Sequence, residues 1–337
     1  MQKLACPRGG AERLTFSPDG DLLAGAGRTA VYCWTRSRDW ELTGLEHNGP
    51  VTGLAFHPTG RTLAYSAIAL GLLGSSPPPP PTGAPPESVW RRRFSREALR
   101  PFTGVHLYSL TGTDEFVPNR VRVPRDELSL LTPDNFARGL AFTPDGRALL
   151  AAHTEPVGLL RSEASVYHWH FTEHNGIWHA TDPTAAQGRT EGGGALVDGY
   201  LALAGRWGVA ACPVASTTGL YMPVVNGSGA VAVAPAYEMV ATYDHGPIVV
   251  WNLRDAPPVA TITTAPALVT ALAFAPDGRT LAAGHAGKEV SFWDPFTGGA
   301  GPERDFGVGP VTSLAYAPDG LTLAVAGRNG VVVVDTE

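Results

Sequence analysis

The segment LAFAPDGRTLAAGH, residues 272–285, contains the pattern that decides the fold. An apolar run leads into Pro276-Asp277-Gly278, and a second apolar run follows shortly after. Proline fixes the φ angle of the first turn position, aspartate tolerates the next, and glycine supplies the left-handed conformation that reverses the chain. The segment therefore predicts a β-hairpin of two buried strands.

The same pattern recurs along the chain. Similar segments begin at Leu14, Leu54, Leu140, Val231 and Leu314. Most are followed by a third apolar run that ends in an aromatic residue: VYCW at 31–34, VYHW at 166–169, IVVW at 248–251 and VSFW at 290–293. A weaker fourth run follows, such as VATI at 259–262. Four strands per unit, at a period of about 40 residues, are typical of a β-propeller.

The repeats resemble those of WD40 proteins over nearly the whole chain. Trp293-Asp294 is an intact WD dipeptide, and Trp251-Asn252 and Trp34-Thr35 differ from it in the second residue. The Gly-His dipeptide that usually precedes the first strand is missing, and the Asp of the turn between the second and third strands is mostly replaced. The resemblance implies an all-β, seven-bladed WD40-type β-propeller whose Asp–His–Ser/Thr–Trp hydrogen-bond network is incomplete.

The number of blades depends on two wide gaps between repeats. A divergent repeat around residues 199–211 fills the gap between Pro144 and Pro235. The gap between Pro58 and Pro144 contains SSPPPPPTGAPPE at 75–87, which cannot form a central strand because proline donates no backbone hydrogen bond. We interpret this gap as one blade with a Pro/Arg-rich insertion at 68–103, in a single domain spanning 1–337. Eight blades are the alternative. The resemblance also implies that the N-terminal segment 2–7 completes the last blade.

Composition and charge argue against several classes of function. A formal net charge of -6 disfavours a general binder of nucleic acid or anionic membranes. Cys6, Cys33 and Cys212 have neither metal-ligand spacing nor the pattern of a disulfide framework. The N-terminus lacks a secretory apolar region, and no stretch approaches the roughly 20 apolar residues of a membrane span. We expect a cytoplasmic, monomeric protein, and a composition rich in Ala, Gly, Pro and Arg suggests a bacterial source.

The insertion at 68–103 contains the first candidate binding residues. Its segment 75–86 is polyproline-like, which predicts either a semi-rigid spacer or a ligand for an aromatic groove. The segment SVWRRRFSREALR at 88–100 has two aromatic residues at helical i, i+4 spacing among arginines. The candidate residues are Trp90, Arg91, Arg92, Arg93, Phe94 and Arg96. Such a segment predicts docking of an acidic partner, a phosphate-bearing ligand or RNA. Alternatively, the two rings pin the loop to the fold and the arginines stay solvated.

Loops on one face of the fold supply the other candidates. In WD40 proteins the loops between second and third strands share a face, called the top, with the loops between blades. The resemblance therefore places the insertion, the link at 119–136 and a lengthened loop at 153–164 on that face. Gly-Arg recurs in the turns between second and third strands, giving the candidates Arg28, Arg206 with Trp207, and Arg328. Arginine suits bidentate capture of carboxylate or phosphate, although these could also be ordinary surface charges on permissive glycine turns.

Chemistry-bearing motifs are scarce. His168 and His170 would share a strand face near Glu173, but spacing fixes no third ligand, so we expect neither a metal nor another cofactor. The chain has no nucleophile elbow, no HExxH and no phosphate loop, and we expect no catalytic residue. Thr52, Arg138, Thr270 and Thr312, near the starts of inner strands, are poorly suited to acid–base catalysis.

The predicted function is that of a protein-interaction scaffold and not of an enzyme. The scaffold would bind a protein partner on its top face through the loops of its second and third blades. One alternative is a hydrolase- or lactonase-like propeller enzyme that uses the central channel. Another is a nucleic-acid-associated propeller that uses the arginine-rich insertion, although the net charge makes nucleic acid an unexpected partner.

Overall fold

The computed structural model of the protein is all-β. It describes residues 1–6, 9–27, 30–42, 45–46, 51–68, 103–110, 116–118, 120–122, 136–143, 145–156, 162–174, 177–180, 184–188, 194–197, 200–205, 208–213, 220–222, 230–243, 245–252, 258–264 and 268–336. Within these ranges there is no α-helix, and short 3-10 helices lie at Arg36–Arg38 and Pro235–Tyr237. None of the helices in the described residues has the length and apolar character needed to cross a membrane.

The strands of the described residues form seven sheets, numbered here in chain order. The N-terminal strand is β1 (Gln2–Leu4). Sheet 1 contains β2 (Arg13–Phe16), β3 (Leu22–Ala26), β4 (Ala30–Thr35), β5 (Glu41–Leu42) and β6 (Leu45–Glu46). Sheet 2 contains β7 (Val51–Phe56), β8 (Thr62–Ile68), β9 (Thr103–Leu110) and β10 (Phe116–Pro118). Sheet 3 contains β11 (Arg120–Arg122), β12 (Phe136–Phe142), β13 (Ala148–Pro156), β14 (Ser162–His174), β15 (Ile177–Ala180) and β16 (Thr184–Gly188).

The second half of the chain is more regular, with four strands in each sheet. Sheet 4 contains β17 (Gly194–Val197), β18 (Tyr200–Gly205), β19 (Gly208–Pro213) and β20 (Leu220–Met222). Sheet 5 contains β21 (Val231–Ala234), β22 (Met239–Tyr243), β23 (Ile248–Asn252) and β24 (Pro258–Ile262). Sheet 6 contains β25 (Val269–Phe274), β26 (Leu281–His285), β27 (Glu289–Trp293) and β28 (Ala300–Asp305). Sheet 7 contains β29 (Val311–Tyr316), β30 (Thr322–Gly327), β31 (Gly330–Asp335) and, outermost, β1.

The turn between first and second strands has the chemistry that the sequence predicts. In sheet 6, Gly278 has φ of +65°, and its N–H donates to the carbonyl of Ala275 at 2.8 Å. The carboxylate of Asp277 accepts the N–H of Arg279 at 3.0 Å. Glycine is needed here because a side chain with a Cβ disfavours positive φ. The predicted hairpin is therefore confirmed in this repeat.

Sheet 3 differs from the sequence prediction. The segment 153–164, predicted as a lengthened loop, is mostly strand, because β13 and β14 stay paired out to Pro156 and Ser162. The predicted link at 119–136 also contains a strand, since β11 pairs in parallel with β15. The prediction of a loop at 153–164 was wrong, whereas 119–136 still lies between β10 of sheet 2 and β12 of sheet 3. Polar residues such as His153 and Glu155 gave no apolar alternation, yet backbone pairing alone extends a hairpin.

The core lies between successive sheets. Each of four buried apolar clusters combines residues of two neighbouring sheets: sheets 1 and 2, 5 and 6, 6 and 7, and 7 and 1. Second strands are buried throughout in several sheets, as in β3, β26 and β30. Strands buried on both faces read as continuous apolar runs, which explains why the repeats lack strict alternation.

Contacts between first strands run through all seven sheets. The first strand of each sheet, taken as β12 in sheet 3, contacts the first strand of the next. The series ends with β29 of sheet 7, which contacts β2 of sheet 1. The N-terminal strand β1 pairs antiparallel with β31, with Gln2 opposite Val333 and Leu4 opposite Val331. The two ends of the chain therefore lie in the same sheet.

A register shift recurs near the start of the first strand. It falls at Thr52, Arg138, Thr270 and Thr312, in sheets 2, 3, 6 and 7. A β-bulge of this kind re-aims a side chain. The Thr270 hydroxyl donates across to the Val311 carbonyl at 2.6 Å, and Thr312 donates to the Ala11 carbonyl at 2.6 Å. Thr270 therefore connects sheet 6 to sheet 7, and Thr312 connects sheet 7 to the residues that lead into sheet 1.

Candidate interaction surface

The strand order gives every sheet two different edges. The first strand runs away from the link between sheets, so the turn between second and third strands lies at the same edge as that link. We call this end of the strands the top edge. The opposite end of the strands, which carries the other two turns of each sheet, is the bottom edge. The predicted site residues all belong, by sequence position, to the turns of the top edge.

Most predicted site residues lie outside the described residues. Trp90, Arg91, Arg92, Arg93, Phe94 and Arg96 fall in 69–102, Arg28 falls in 28–29, and Arg206 and Trp207 are 206–207, all outside the described residues. Their flanking strands are described. Ile68 pairs with Thr103 at the base of the insertion, and Gly205 pairs with Gly208 around Arg206 and Trp207. The structure therefore locates where these segments leave their sheets.

Arg328 is the predicted site residue that the structure describes. It is exposed and lies in the tight turn between β30 and β31, where Gly327 pairs with Gly330. Its N–H donates to the Pro310 carbonyl at 3.3 Å, and the N–H of Asn329 donates to the Val308 carbonyl at 2.8 Å. These bonds anchor the turn on the link between sheets 6 and 7, so the guanidinium projects from a fixed backbone.

Residues 5–6 and 9–11, between β1 of sheet 7 and β2 of sheet 1 in the sequence, lie beside this turn. The Trp34 indole N–H of sheet 1 donates to the Ala5 carbonyl at 3.0 Å. Gly10 is so close to sheet 7 that a Cβ at this position would overlap the carbonyl oxygen of Gly327. On its other side, a Cβ at Gly27 would lie 3.0 Å from the Gly10 carbonyl oxygen. Gly27 of sheet 1 and Gly327 of sheet 7 therefore both lie against Gly10, and we call this place the 7–1 seam.

Lys3 is a basic residue of this region that sequence reasoning missed. It is exposed on β1, and its Cε lies 3.5 Å from where a Cβ of Gly330 would be. Burial raises the pKa of the neighbouring Cys6 thiol, although a backbone hydrogen bond at Val331 and the charge of Lys3 act in the opposite direction. The Cys6 side chain packs against the buried cluster of sheets 7 and 1, and a thiol of raised pKa is a poor nucleophile. No sequence signal links residue 3 to residue 330.

Charged side chains of the described residues differ in their pairing. Lys288, in the corresponding turn of sheet 6, forms an ion pair with Asp305 at 3.0 Å, and Arg36 pairs with Asp319 at 2.6 Å. The Asp305 side chain raises the pKa of Lys288 by its hydrogen bond and its charge. Within the described part of the chain, no ion pair involves Lys3 or Arg328. The 7–1 seam therefore presents two cations that the fold does not neutralise.

Polar groups in the interior of the fold hold strands together. The buried His285 lies 2.7 Å from the Ser291 hydroxyl, which also accepts the Trp293 indole N–H at 2.8 Å. In sheet 5, Trp251 donates to the Thr242 hydroxyl at 3.1 Å. Parts of the expected hydrogen-bond network are thus present in two sheets. Among the described residues, no cluster of His, Cys, Asp or Glu has the makings of a metal site.

The bottom edge presents an exposed aromatic pair. Tyr237 and Phe296 are 40% and 46% exposed, and their ring centroids are 6.3 Å apart in an edge-to-face arrangement. Tyr237 stands two residues after Pro235, where other repeats have the Gly of the Pro-Asp-Gly turn, and its ring covers Gly278 of the next sheet. Exposed rings are frequent at interfaces, so this pair is the rival to the top edge as an interaction surface.

Comparison with known proteins agrees with the repeat pattern. Residues 40–69 and 257–294 match the family described as WD domain, G-beta repeat (WD40). The second match begins at the fourth strand of sheet 5 and ends with the third strand of sheet 6, so the sequence repeat is offset by one strand from the sheet. No curated protein matches the chain. These two matches and the four-stranded antiparallel sheets support a WD40-repeat family for this chain.

Proposed function

We propose that this protein is a protein-interaction scaffold, built as one seven-bladed propeller over residues 1–337 and binding a protein partner on its top edge. WD40 repeats generally mediate interactions between proteins. The partner would contact the insertion between β8 and β9, with Trp90, Arg91, Arg92, Arg93, Phe94 and Arg96, and the turns that carry Arg28, Arg206, Trp207 and Arg328. The function needs no catalytic residue, metal or other cofactor.

The ring is supported by the contacts between first strands. These contacts run from β2 through β7, β12, β17, β21 and β25 to β29, and from β29 back to β2. The pairing of β1 with β31 supplies the fourth strand of sheet 7 from the start of the chain. A closed ring leaves no apolar sheet face uncovered at an open end, which favours a stable monomer.

The observation that carries the functional proposal is the base of the insertion. β8 and β9 stay in register up to Ile68 opposite Thr103, so residues 69–102 leave and re-enter the sheet at one point. Such a segment can vary without disturbing the strands that support it, and long segments of this kind are usually functional. Its basic, aromatic composition suits an acidic protein surface.

The test removes the insertion and keeps the sheet. Residues 69–102 are replaced by Asn-Gly, which favours the two-residue turn that can join paired strands. Wild type and variant are immobilised at equal amounts, and proteins captured from native lysate are identified by mass spectrometry. A matched control keeps the insertion at full length but carries Trp90→Ala and Phe94→Ala. Each form must unfold cooperatively for its capture to be compared.

The proposal predicts a partner that wild type retains and the deletion loses, with weaker retention by the double-alanine control. If a specific partner is retained equally by all three forms, the insertion is not the binding element. If nuclease treatment releases everything that is captured, the protein is associated with nucleic acid and the scaffold proposal fails.

A further inference from the structure

We propose that the 7–1 seam is a binding site for an oxyanion on an acidic peptide, a carboxylate or a phosphate ester, with Arg328 and Lys3 as the residues that hold it. The inference rests on the proposed function and deepens it, because it names the chemistry of the partner at one place on the top edge. It does not depend on the insertion between β8 and β9.

The backbone at the seam leaves room for a ligand to approach. Gly9 has φ of +99°, and a Cβ placed on it would have nothing within 4 Å. Gly330 has φ of +136°, and a Cβ there would meet only the end of the Lys3 side chain. A surface without side chains lets an oxyanion come close to the main chain and to the cations beside it.

The two cations flank one rigid turn. Arg328 lies in the turn itself, and the Lys3 side chain reaches Gly330 at its end. Both side chains are exposed, and the turn is fixed by bonds to Pro310 and Val308. Little conformational freedom of the main chain would therefore be lost on binding, which favours affinity.

The sequence around the seam adds further positive charge. Arg8 precedes Gly9, and Arg28 follows Gly27, although both lie outside the described residues. In residues 1–12 the basic residues are Lys3 and Arg8, and the acidic residue is Glu12. The region is thus locally basic in a chain whose net charge is -6. A locally basic patch on an acidic protein steers an acidic partner to one place.

Guanidinium chemistry determines the class of ligand. Arginine presents a planar fork of donors that fits two oxygens of a carboxylate or phosphate, and lysine adds a mobile point charge. An apolar peptide would gain nothing from either group. We therefore expect an extended acidic segment of a partner protein, with one oxyanion on Arg328.

The test uses fluorescein-labelled peptides and full-length protein. One peptide carries evenly spaced glutamates, a second carries a single phosphoserine in a neutral sequence, and a third has glutamine in place of every glutamate. Fluorescence anisotropy gives their affinities for wild type, Arg328→Gln, Lys3→Gln and the control Arg279→Gln. Arg279 is an exposed arginine of the bottom edge, so its loss changes the net charge equally.

The inference predicts that the glutamate or the phosphoserine peptide binds and the glutamine peptide does not. Arg328→Gln should weaken binding about tenfold and Lys3→Gln about threefold, whereas Arg279→Gln should leave it unchanged. The peptide that binds identifies the source of the oxyanion. Binding of neither acidic peptide overturns the inference, and so does an equal loss in Arg328→Gln and Arg279→Gln.

This result is separable from the proposed function. If deletion of 69–102 abolishes partner capture but Arg328→Gln leaves peptide affinity unchanged, the seam inference fails and the scaffold stands. If Arg328→Gln weakens the peptide but the deletion loses no partner, the seam binds and the insertion does not.

Discussion

Trp34 of sheet 1 and Trp293 of sheet 6 occupy the same strand position but serve different parts of the fold. Each ends the apolar run of a third strand, opposite Leu23 and Leu281 respectively. The Trp293 indole donates to Ser291 within its own strand, while the Trp34 indole donates to Ala5 in the segment that crosses the 7–1 seam. Trp34 is fully buried and stacks on Tyr32, with ring centroids 5.5 Å apart.

The difference shows that the same strand position can serve one sheet alone or connect two sheets. The chain runs directly from sheet 6 into sheet 7, and the Trp293 indole donates its hydrogen bond within its own sheet. Sheets 7 and 1 are joined by the N-terminal segment, which has to be held against both. The Trp34 indole therefore holds a residue 29 positions away in the sequence, whereas the Trp293 indole bonds within its own strand.

Alanine substitution of the two tryptophans should give the greatest loss of stability. Trp34→Ala removes a fully buried ring and should lower the free energy of unfolding by about 3–5 kcal/mol. Trp293→Ala removes a half-buried ring and should cost about 1–2 kcal/mol. Urea unfolding followed by far-UV circular dichroism measures both. Equal losses would show that the 7–1 seam has no special dependence on Trp34.

The next effect concerns the closing strand β1. Leu4 is 3% exposed and packs in the cluster between sheets 7 and 1, so Leu4→Ala should cost about 2–3 kcal/mol. Its neighbour Lys3 is exposed, and Lys3→Ala should change stability by less than about 0.5 kcal/mol. Urea midpoints at constant m-value distinguish the two. A Leu4→Ala protein as stable as wild type would mean that β1 does not hold the seam.

A smaller effect compares the bulged threonines of two seams. Thr312→Val removes the hydrogen bond to the Ala11 carbonyl at the 7–1 seam. Thr270→Val removes the hydrogen bond to the Val311 carbonyl between sheets 6 and 7. Each substitution keeps the side-chain shape, so each should cost about 1 kcal/mol. Thermal unfolding of the two variants checks this. A much larger loss of stability for Thr312→Val would mean that the hydrogen bond at the 7–1 seam contributes more than the one between sheets 6 and 7.

Repeats, turn type and blade-like sheets could be predicted from the sequence, because Pro-Asp-Gly and flanking apolar runs are local signals. The WD40 resemblance followed from the same signals. The long hairpin of β13 and β14 could not, since its polar residues are held by backbone pairing. The resemblance placed segment 2–7 in the last blade, but the close approach of Gly10 to Gly27 and Gly327 had no sequence signal, because these residues are far apart in the chain. Arg328 was found through its Gly-Arg turn, but Lys3 had no motif.

The smallest effect concerns the ion pair between sheets 1 and 7. Partial burial acts to raise the pKa of Asp319, but the hydrogen bonds from Arg36 and the Leu321 N–H lower it overall. A lowered pKa means that this carboxylate stabilises the fold above about pH 4 and loses that contribution as the pH falls through its folded value. Since both side chains are partly exposed, Asp319→Asn should cost less than about 1 kcal/mol at pH 7 and nothing at pH 2.

Urea unfolding of wild type and Asp319→Asn at both pH values provides the test. Arg36→Gln serves as the partner variant, and the two substitutions together should cost no more than either alone. A loss that persists unchanged at pH 2 would contradict an electrostatic origin.

The most direct test of the interaction surface compares the top edge and the bottom edge of the sheets in one experiment. The photocrosslinker p-benzoylphenylalanine is placed at position 328 on the top edge, or at position 296 in the exposed aromatic pair of the bottom edge. Each form is irradiated in native lysate, and adducts are identified by mass spectrometry. We expect a specific protein adduct from position 328 and none from position 296. An adduct from position 296 alone would contradict the account and move the interaction surface to the bottom edge.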